Sequence, residues 1–480
     1  MEMQLNRDRL DKDVQQALRA WHNSGDDSAD SLSYLLLVQA QMAAAPHAKG
    51  PATRLAVNQV LLNALEEMTT QNETAVRVLK LRFLSQHSLL MVANQLNVSE
   101  HTVSRMQRAA IDQLADAIYR QELALRDSKI QEITALLPPA TYSQLFGAAE
   151  IQTDLIARLR DPGSPWVIAV TGLGGIGKTA LADSVIRRLV PELHFDDVVW
   201  LRSAAATMSG QSASPQATFD TLIIELAQRF WGQSGVENTP NQRLAQVRQR
   251  LKERPFLIII DNLESETDTA FLLTQLNDLA NPSKFLLTSR TRPAPQAIVF
   301  TCVIPELSFD DSVTLLNHHA QELGVMALAT AVAADYQAIW NVTGGHPLAL
   351  KLVAGLLDVL PLSTILGGLA QGGAGHIEEM YRHIYWQMWR TLSENGRRLL
   401  LTMPLVSETG GDPDYLGVIS GLDETQLWPA IQELRSRSLL EVRGALHEKS
   451  YGIHRLTETF LHTEIINWPF EEQRSVKRET

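Results

Sequence analysis

The glycine-rich segment 172–179 constrains this chain more than any other stretch. It follows an apolar run at 166–171 and precedes a helix-like pattern at 180–189. A strand, a glycine loop and a helix in that order are typical of a phosphate-binding loop, because backbone N–H groups can surround an anion at the positive end of the helix dipole. The residues predicted to bind the nucleotide here are Gly172, Gly174, Gly175, Ile176, Gly177, Lys178, Thr179 and Ala180.

Two later strand-like runs end in charged residues. The apolar run at 256–261 ends in Asp261, and the run at 284–290 ends in Arg290. Continuous apolar character suits parallel strands that are buried on both faces. Because strands alternate with helices over 166–300, the sequence predicts a doubly wound α/β parallel sheet.

The charged strand ends extend the predicted site. Lys178 can reach the outer phosphates as a point charge, and an arginine such as Arg290 can stabilise the γ-phosphate, with Arg292 as the competing candidate. Thr179 and Asp261 are the candidate Mg²⁺ ligands. Lys178, Asp261 and Arg290 are therefore the candidate catalytic residues.

Composition limits the class of protein. The chain has 480 residues, a net charge of −12 and one cysteine, Cys302. This length suits three or four domains, and the single cysteine excludes an intrachain disulfide framework and predicts a cytoplasmic location. The charged N-terminus indicates no signal peptide, and the apolar stretch 347–370 carries Lys351 and Asp358, so we expect no membrane span.

The N-terminal region is predicted to be helical, and it contains a possible helix-turn-helix. Ser88–Leu96 resembles a short helix, Asn97–Ser99 a turn, and Glu100 to about Ile118 a second helix with a cap at Ser99. The exposed residues that could face a DNA major groove are His101, Thr102, Arg105 and Arg108. The stretch from Glu73 to Leu114 resembles the helix-turn-helix of region four of bacterial sigma factors. Duplex DNA is thus a possible partner, although the weak basic charge also fits a helical core or a protein-contact surface.

The order of motifs over about 145–460 resembles the NB-ARC group of STAND ATPases. Leu145-Phe146-Gly147 stands at the family's entry motif, 344–350 at its Gly-Leu-Pro-Leu run, and Ile453-His454-Arg455 at its Met-His-Asp motif. The resemblance implies that Gly147 and Pro347 lie at the adenine end and that His454 contacts the β-phosphate of ADP.

Three residues depart from the family pattern. Ala148 replaces an arginine, Asn262 replaces a second acidic residue, and Arg455 replaces the final aspartate. Without the second acid, Asp261 or Glu264 must position the attacking water. We therefore expect at most a slow ATP hydrolase.

The sequence predicts a multidomain chain. The parts are an N-terminal all-α domain at 1–137 with its helix-turn-helix at 73–120, a P-loop α/β domain at 140–303, a helical bundle at 304–375, a winged helix at 376–470 and a tail at 471–480. The glycine-rich stretch 367–373 is predicted to be a flexible hinge.

The main hypothesis is an ATP/ADP-controlled switch. Exchange of ADP for ATP would open the chain and permit homo-oligomerisation, with DNA binding by the N-terminal domain as the output. The alternative is a defence or cell-death switch whose N-terminal domain is a protein-interaction adaptor. A housekeeping P-loop enzyme is a third, weaker hypothesis. No 30–45-residue repeat is visible, so a separate protein is a possible sensor.

Overall fold

The computed structural model describes residues 5–22, 31–44, 52–163, 165–203, 215–263, 266–293, 299–371, 377–406, 410–444 and 448–466. The chain divides into two compact units, Met1–Glu132 and Ile133–Thr480. Glu264, the residues Gly372 and Gly373 of the expected hinge, and the tail lie outside the described residues.

The described part of the first unit is helical, as the sequence predicts. Its helices are α1 Arg7–Arg19, α2 Leu36–Ala44, α3 Ala52–Thr69, α4 Glu73–Leu79, α5 Leu89–Leu96 and α6 Glu100–Leu136. The expected end of α6 near Ile118 is wrong. Leu114, Ala115 and Ile118 are buried in the unit's main core, and good helix formers continue until Pro138, which cannot extend a helix.

A buried carboxylate joins two distant parts of this unit. Glu122 of α6 is completely buried, and its two oxygens accept hydrogen bonds from the backbone N–H groups of Leu36, at 3.0 Å, and Leu37, at 3.1 Å. Arg126 donates to the same carboxylate at 2.8 Å. The ion pair and the first turn of α2 together offset the cost of burying this charge.

A small separate core surrounds the turn between α5 and α6. It consists of the buried side chains Val78, Val92, Ala93 and Val103. Asn97 adopts the left-handed conformation at φ 53°, and the Ser99 hydroxyl accepts from the N–H of Thr102 at 3.2 Å. The expected turn and cap are confirmed, whereas assignment of this region as a DNA-binding helix-turn-helix stays a prediction.

The second unit begins with a five-stranded parallel sheet in the order β2-β3-β4-β1-β5. Its strands are β1 Val167–Thr171, β2 Asp197–Arg202, β3 Phe256–Leu263, β4 Lys284–Ser289 and β5 Val299–Val303. The accompanying helices are α7 Ala149–Arg160, α8 Lys178–Leu189, α9 Pro215–Trp231, α10 Gln233–Val236, α11 Pro240–Glu253 and α12 Glu266–Leu279. The predicted parallel α/β sheet is confirmed. Because β4 lies between β3 and β1, residues at the carboxyl ends of these three strands meet at one edge.

Helices follow the sheet. They are α13 Phe309–Leu323, α14 Ala333–Thr343, α15 Pro347–Leu356, α16 Leu362–Gln371, α17 Ile377–Thr391, α18 Glu394–Thr402, α19 Pro413–Ser420, α20 Glu424–Ser436 and α21 Arg455–Phe460, with the antiparallel hairpin β6 Glu441–Gly444 and β7 Lys449–Gly452. Buried side chains from α13 through α21 share one hydrophobic core.

A capping box of Asp423 with Gln426 begins α20. The flexible hinge is wrong for Gly367 and Gly368, which lie inside α16. The division into a bundle and a winged helix stays a prediction. Within the described ranges, no helix has the length and apolarity that crossing a bilayer requires.

Candidate functional site

The glycine loop joins β1 to α8 in the predicted manner. Gly175 and Gly177 have φ values of +81° and +105°, which side chains with a Cβ atom rarely adopt. Lys178 is the first residue of α8, and its ammonium donates at 2.9 Å to the carbonyl oxygens of Gly172 and Leu173. The loop thus presents a cation and a helix N-terminus on one surface. Ile176 is buried beneath it, and Ala180 lies in the first turn of α8.

The Asp261 carboxylate connects three elements. Its Oδ1 atom accepts from the hydroxyl of Thr179 on α8 at 2.8 Å and from the hydroxyl of Thr288 on β4 at 2.5 Å. Asp261 and Thr288 are both buried. The structure therefore brings together the two candidate metal ligands. The link through Thr288 was not anticipated from the sequence.

Asn262 has a conformational reason to be an asparagine. Its φ is +72°, in the left-handed region that asparagine tolerates better than most residues. The β3–β4 register shifts between Ile260 and Leu263, and the Asn262 N–H donates to the Thr288 hydroxyl at 2.8 Å. The departure from an acidic residue thus coincides with a bulge at the edge of the site.

Arg290 lies against the glycine loop. A Cβ atom placed on Gly174 would be 3.5 Å from the Arg290 Cζ atom and 3.5 Å from Leu456 Cδ2. The arginine after β4 and the first turn of α21 therefore approach the same glycine. Arg292, the competing candidate, is exposed.

His454 is the N-cap of α21. Its Nδ1 atom accepts from the Leu456 N–H at 3.1 Å, so the neutral ring carries its proton on Nε2. Burial is the largest effect on the His454 pKa and lowers it; the nearby charges of Arg290 and Lys178 lower it further, whereas Glu441 opposes them. A neutral His454 with an Nε2–H donor fits the role that the family resemblance implies. The side chain of Arg455, the departure beside it, lies outside the described residues.

His346 is a functional candidate that the sequence reasoning missed. It is completely buried, its Nδ1 lies within hydrogen-bond distance of the Tyr381 hydroxyl at 2.6 Å, and its Cε1 lies 3.2 Å from where a Gly175 Cβ atom would be. Burial is the main cause that lowers the pKa of His346 to about 4. The charge of Lys178, and the charge that His454 would carry if it were protonated, act in the same direction, whereas a hydrogen bond to the Gly174 backbone opposes the shift. The available signal was a histidine at the position where the resembling family has leucine. The neighbouring Pro347 begins α15.

The two predicted adenine-end segments meet at Leu307. A Cβ atom on Gly345 would lie 2.2 Å from the Leu307 carbonyl oxygen, and one on Gly147 would lie 2.8 Å from Leu307 Cδ2. Both glycines also have positive φ, so neither position accepts a side chain without strain. Phe146 packs edge-on against His318 of α13, with 5.4 Å between ring centroids.

The candidate DNA-contacting residues lie at the start of α6, in the first unit. His101, Arg105 and Arg108 are exposed, and Thr102 is half-buried with its hydroxyl 2.9 Å from that of Ser99. A role of these side chains in binding duplex DNA or a protein partner stays a prediction.

Sequence comparisons match part of this chain to a known domain family. Residues 149–323 match the sequence model of the NB-ARC domain. In Arabidopsis thaliana, the disease susceptibility protein LOV1 is 25% identical over 268 residues, and the probable disease resistance RPP8-like protein 4 is 25% identical over 264 residues. Each alignment covers 53% of this chain and only 28% of the relative.

Solved structures give weaker similarity. A STAND protein with a tetratricopeptide repeat sensor from Pyrococcus horikoshii is 15% identical, with a TM-score of 0.42 over 68% of this chain and 43% of that one. An Aeropyrum pernix ORC1 protein in complex with DNA is 16% identical, with a TM-score of 0.33 over 71% of this chain and 97% of that one.

The lowered pKa of His346 predicts a loss of stability in acid. Because its folded-state pKa of about 4 lies below the ordinary histidine value of about 6.5, the unfolded chain binds the proton more readily. The stabilisation is therefore complete above about pH 6.5 and declines as the pH falls towards 4. Between pH 7.5 and 5, this group should lower the free energy of unfolding by on the order of 2 kcal/mol. Urea unfolding at both pH values measures this change. The free energy of unfolding should decline less between pH 7.5 and 5 in His346→Leu than in the parent chain, and an equal decline would contradict the lowered pKa of His346.

Proposed function

Because residues 149–323 form an NB-ARC domain, we propose that the chain is an ATP/ADP-controlled switch. The observation that carries the proposal is the convergence of Lys178, Arg290 and the His454-capped α21 on one glycine loop. The loop follows β1 of the parallel sheet, whereas α21 belongs to the C-terminal part of the unit. A nucleotide at the loop would therefore contact both.

The chain's own groups suit a nucleotide phosphate and Mg²⁺. The Lys178 ammonium donates to two loop carbonyls and would exchange them for phosphate oxygens. Thr179 and Asp261 offer one hydroxyl and one carboxylate, which fits a cation that takes one or two protein ligands together with phosphate oxygens and water. Among the described residues, there is no cluster of three or more acidic, histidine or cysteine side chains suited to an all-protein metal site. When bound, the ion would neutralise charge on the phosphates.

The site is better suited to retaining a nucleotide than to rapid hydrolysis. The buried Asp261 carboxylate is hydrogen-bonded to two threonine hydroxyls. Asn262 supplies no second carboxylate for positioning water. Arg290 remains the group for stabilising the terminal phosphate. Slow hydrolysis gives each nucleotide state the lifetime that a switch requires.

A switch requires the two nucleotides to bind its two conformations with different affinities. We assign this difference to His454, whose Nε2–H would donate to the β-phosphate of ADP in the closed conformation. ATP would disfavour that contact, separate α21 from the loop and permit oligomerisation. A separate sensor protein and the cytoplasmic location also remain predictions.

The names of the relatives favour a defence-type output, with the N-terminal helices as a protein-interaction adaptor. The aligned relatives are disease-susceptibility and disease-resistance proteins. Their low identity and partial coverage leave the partner to experiment. The DNA-binding output first expected from the sequence becomes the second candidate, supported by the exposed Arg105 and Arg108 beside the α5–α6 turn.

Removing the Lys178 ammonium should abolish nucleotide binding. Lys178→Ala is expected to weaken binding of a fluorescent ADP analogue by at least about 100-fold, because a charge-assisted phosphate contact is lost at the centre of the loop. Fluorescence titration with Mg²⁺ measures the affinity. The exposed Lys449→Ala serves as the control and should bind like the parent chain. Unchanged binding in Lys178→Ala would contradict the proposed site.

Replacing His454 should alter the preference between nucleotides. Asparagine is a good N-cap, so His454→Asn keeps the start of α21 but loses the Nε2–H donor. We expect ADP affinity to fall by about 10-fold and affinity for a non-hydrolysable ATP analogue to stay within about twofold. Competition titrations measure both affinities. Equal losses for the two nucleotides would exclude His454 as the discriminating contact.

The two candidate outputs differ in their response to salt. If DNA is the target, Arg105→Ala/Arg108→Ala should reduce the slope of log affinity against log salt by about 1.8, because two phosphate contacts are lost. Fluorescence anisotropy on duplex DNA, with ADP and with the ATP analogue, makes this measurement. Arg9→Ala/Arg120→Ala is the control: it removes the same charge elsewhere on the first unit and should leave the slope unchanged. Absence of duplex binding by the parent chain in both nucleotide states would support the adaptor function.

A further inference from the structure

A second histidine connects the glycine loop with the C-terminal part of the unit. His346 belongs to the turn before α15, and its ring lies directly against Gly175. The ring has no solvent-exposed surface. A displacement of this ring would therefore change its packing against the loop backbone.

The two ring nitrogens of His346 have different partners. Nδ1 is hydrogen-bonded to the Tyr381 hydroxyl at 2.6 Å. We assign the hydroxyl as the donor, which places the proton of the neutral ring on Nε2. On its other side the ring lies against the loop, with Cε1 3.2 Å from where a Gly175 Cβ atom would be. His346 thus lies between a hydroxyl on α17 and the backbone of the glycine loop.

Tyr381 continues into a stack that ends on α21. The Tyr381 and Tyr385 rings are 6.2 Å apart and inclined by 28°, and Tyr385 lies 5.2 Å from Phe460 at 23°. The Thr457 hydroxyl also donates to the Tyr385 hydroxyl at 3.1 Å. Phe460 and Thr457 belong to the helix that His454 caps. The two histidines at the loop are therefore the ends of one packed path through α17 and α21.

We propose that His346 is a positioning residue, and that its hydrogen bond with Tyr381 holds Gly174 and Gly175 in the nucleotide-binding conformation. The nucleotide part of this inference rests on the proposed function. Through the aromatic stack, the position of α17 would affect the loop even where His454 makes no contact. The conformation of the loop would then depend on the position of the C-terminal helices through both His346 and His454.

A role in packing alone would not require these groups. Leucine would fill a similar apolar space and is the residue in the resembling family's run. A buried imidazole and a buried phenol each incur a desolvation cost, which their mutual hydrogen bond offsets. A test of the proposal should therefore remove the hydrogen bond between His346 and Tyr381 while keeping the volume of the side chains.

Tyr381→Phe removes the hydroxyl and retains the ring stack. Without ADP, we expect hydrogen–deuterium exchange of the amides at 174–177 to become about 10-fold faster, because Nδ1 of His346 loses its donor. ADP affinity should fall by about 10-fold. Tyr336→Phe is the matched control: it removes a hydroxyl that donates to Asn317 at 2.6 Å, within the same helical part but away from the loop. It should leave both quantities unchanged.

His346→Leu tests the same link from its other end. It should reproduce both effects, and the double variant with Tyr381→Phe should be no worse than either single variant, since both remove one interaction. Parent-like exchange and affinity in Tyr381→Phe would overturn the inference, as would equal effects of Tyr336→Phe. If the parent chain fails to bind ADP, the proposed function is wrong. Exchange in the nucleotide-free protein then decides the inference by itself.

Discussion

The hydrogen bonds of the Asp261 carboxylate are the interaction on which the site depends. A buried carboxylate is costly unless it is paired or hydrogen-bonded. Here Thr179 and Thr288 donate to the same oxygen from α8 and β4. Since the Asn262 N–H also donates to Thr288, the bulge at the end of β3 is fixed to the same point. Loss of this carboxylate would remove a side-chain link from β3 to α8 and β4 as well as a candidate metal ligand.

Burial determines the protonation of both histidines more than the positive charges around the loop do. It is the largest effect that lowers the pKa of His346 and of His454, and the charge of Lys178 acts in the same direction. Both rings are therefore neutral near pH 7 and can each use one nitrogen as a donor and the other as an acceptor. In the proposed function, the fixed cations Lys178 and Arg290 would provide the positive charge for phosphate. This division of roles needs neutral histidines, because a protonated ring could not accept from Tyr381 or from the Leu456 N–H.

Features contained in contiguous sequence could be predicted, and features made by distant residues could not. The loop, the strand that carries Asp261 near its carboxyl end and the Asn97 turn each depend on neighbours in the chain. The contact of His346 with Tyr381 joins residues 35 positions apart, and no local pattern pairs them. The predicted α6 was too short because the helix-turn-helix motif ends at about Ile118. The burial of Glu122 against α2 depends on residues 86 positions apart, so the local sequence does not reveal it. Asn262 was interpreted only as the replacement of an acidic residue, because the sequence does not show that its backbone is left-handed.

The shared core limits where a switch of this kind can open. Buried side chains from α13 to α21 form one cluster, including Leu316 and Val353 before the expected hinge and Leu399 and Leu434 after it. Exposing each large apolar side chain costs about 1.5–3 kcal/mol, so separating these helices at 367–373 would oppose the binding energy of any nucleotide. The side chains of the C-terminal helices that lie nearest to Gly174 and Gly175 are fewer and partly polar: His346, Leu348 and Leu456. In the proposed switch, opening at the loop, with α13 to α21 moving as one body, would therefore cost less than opening at 367–373.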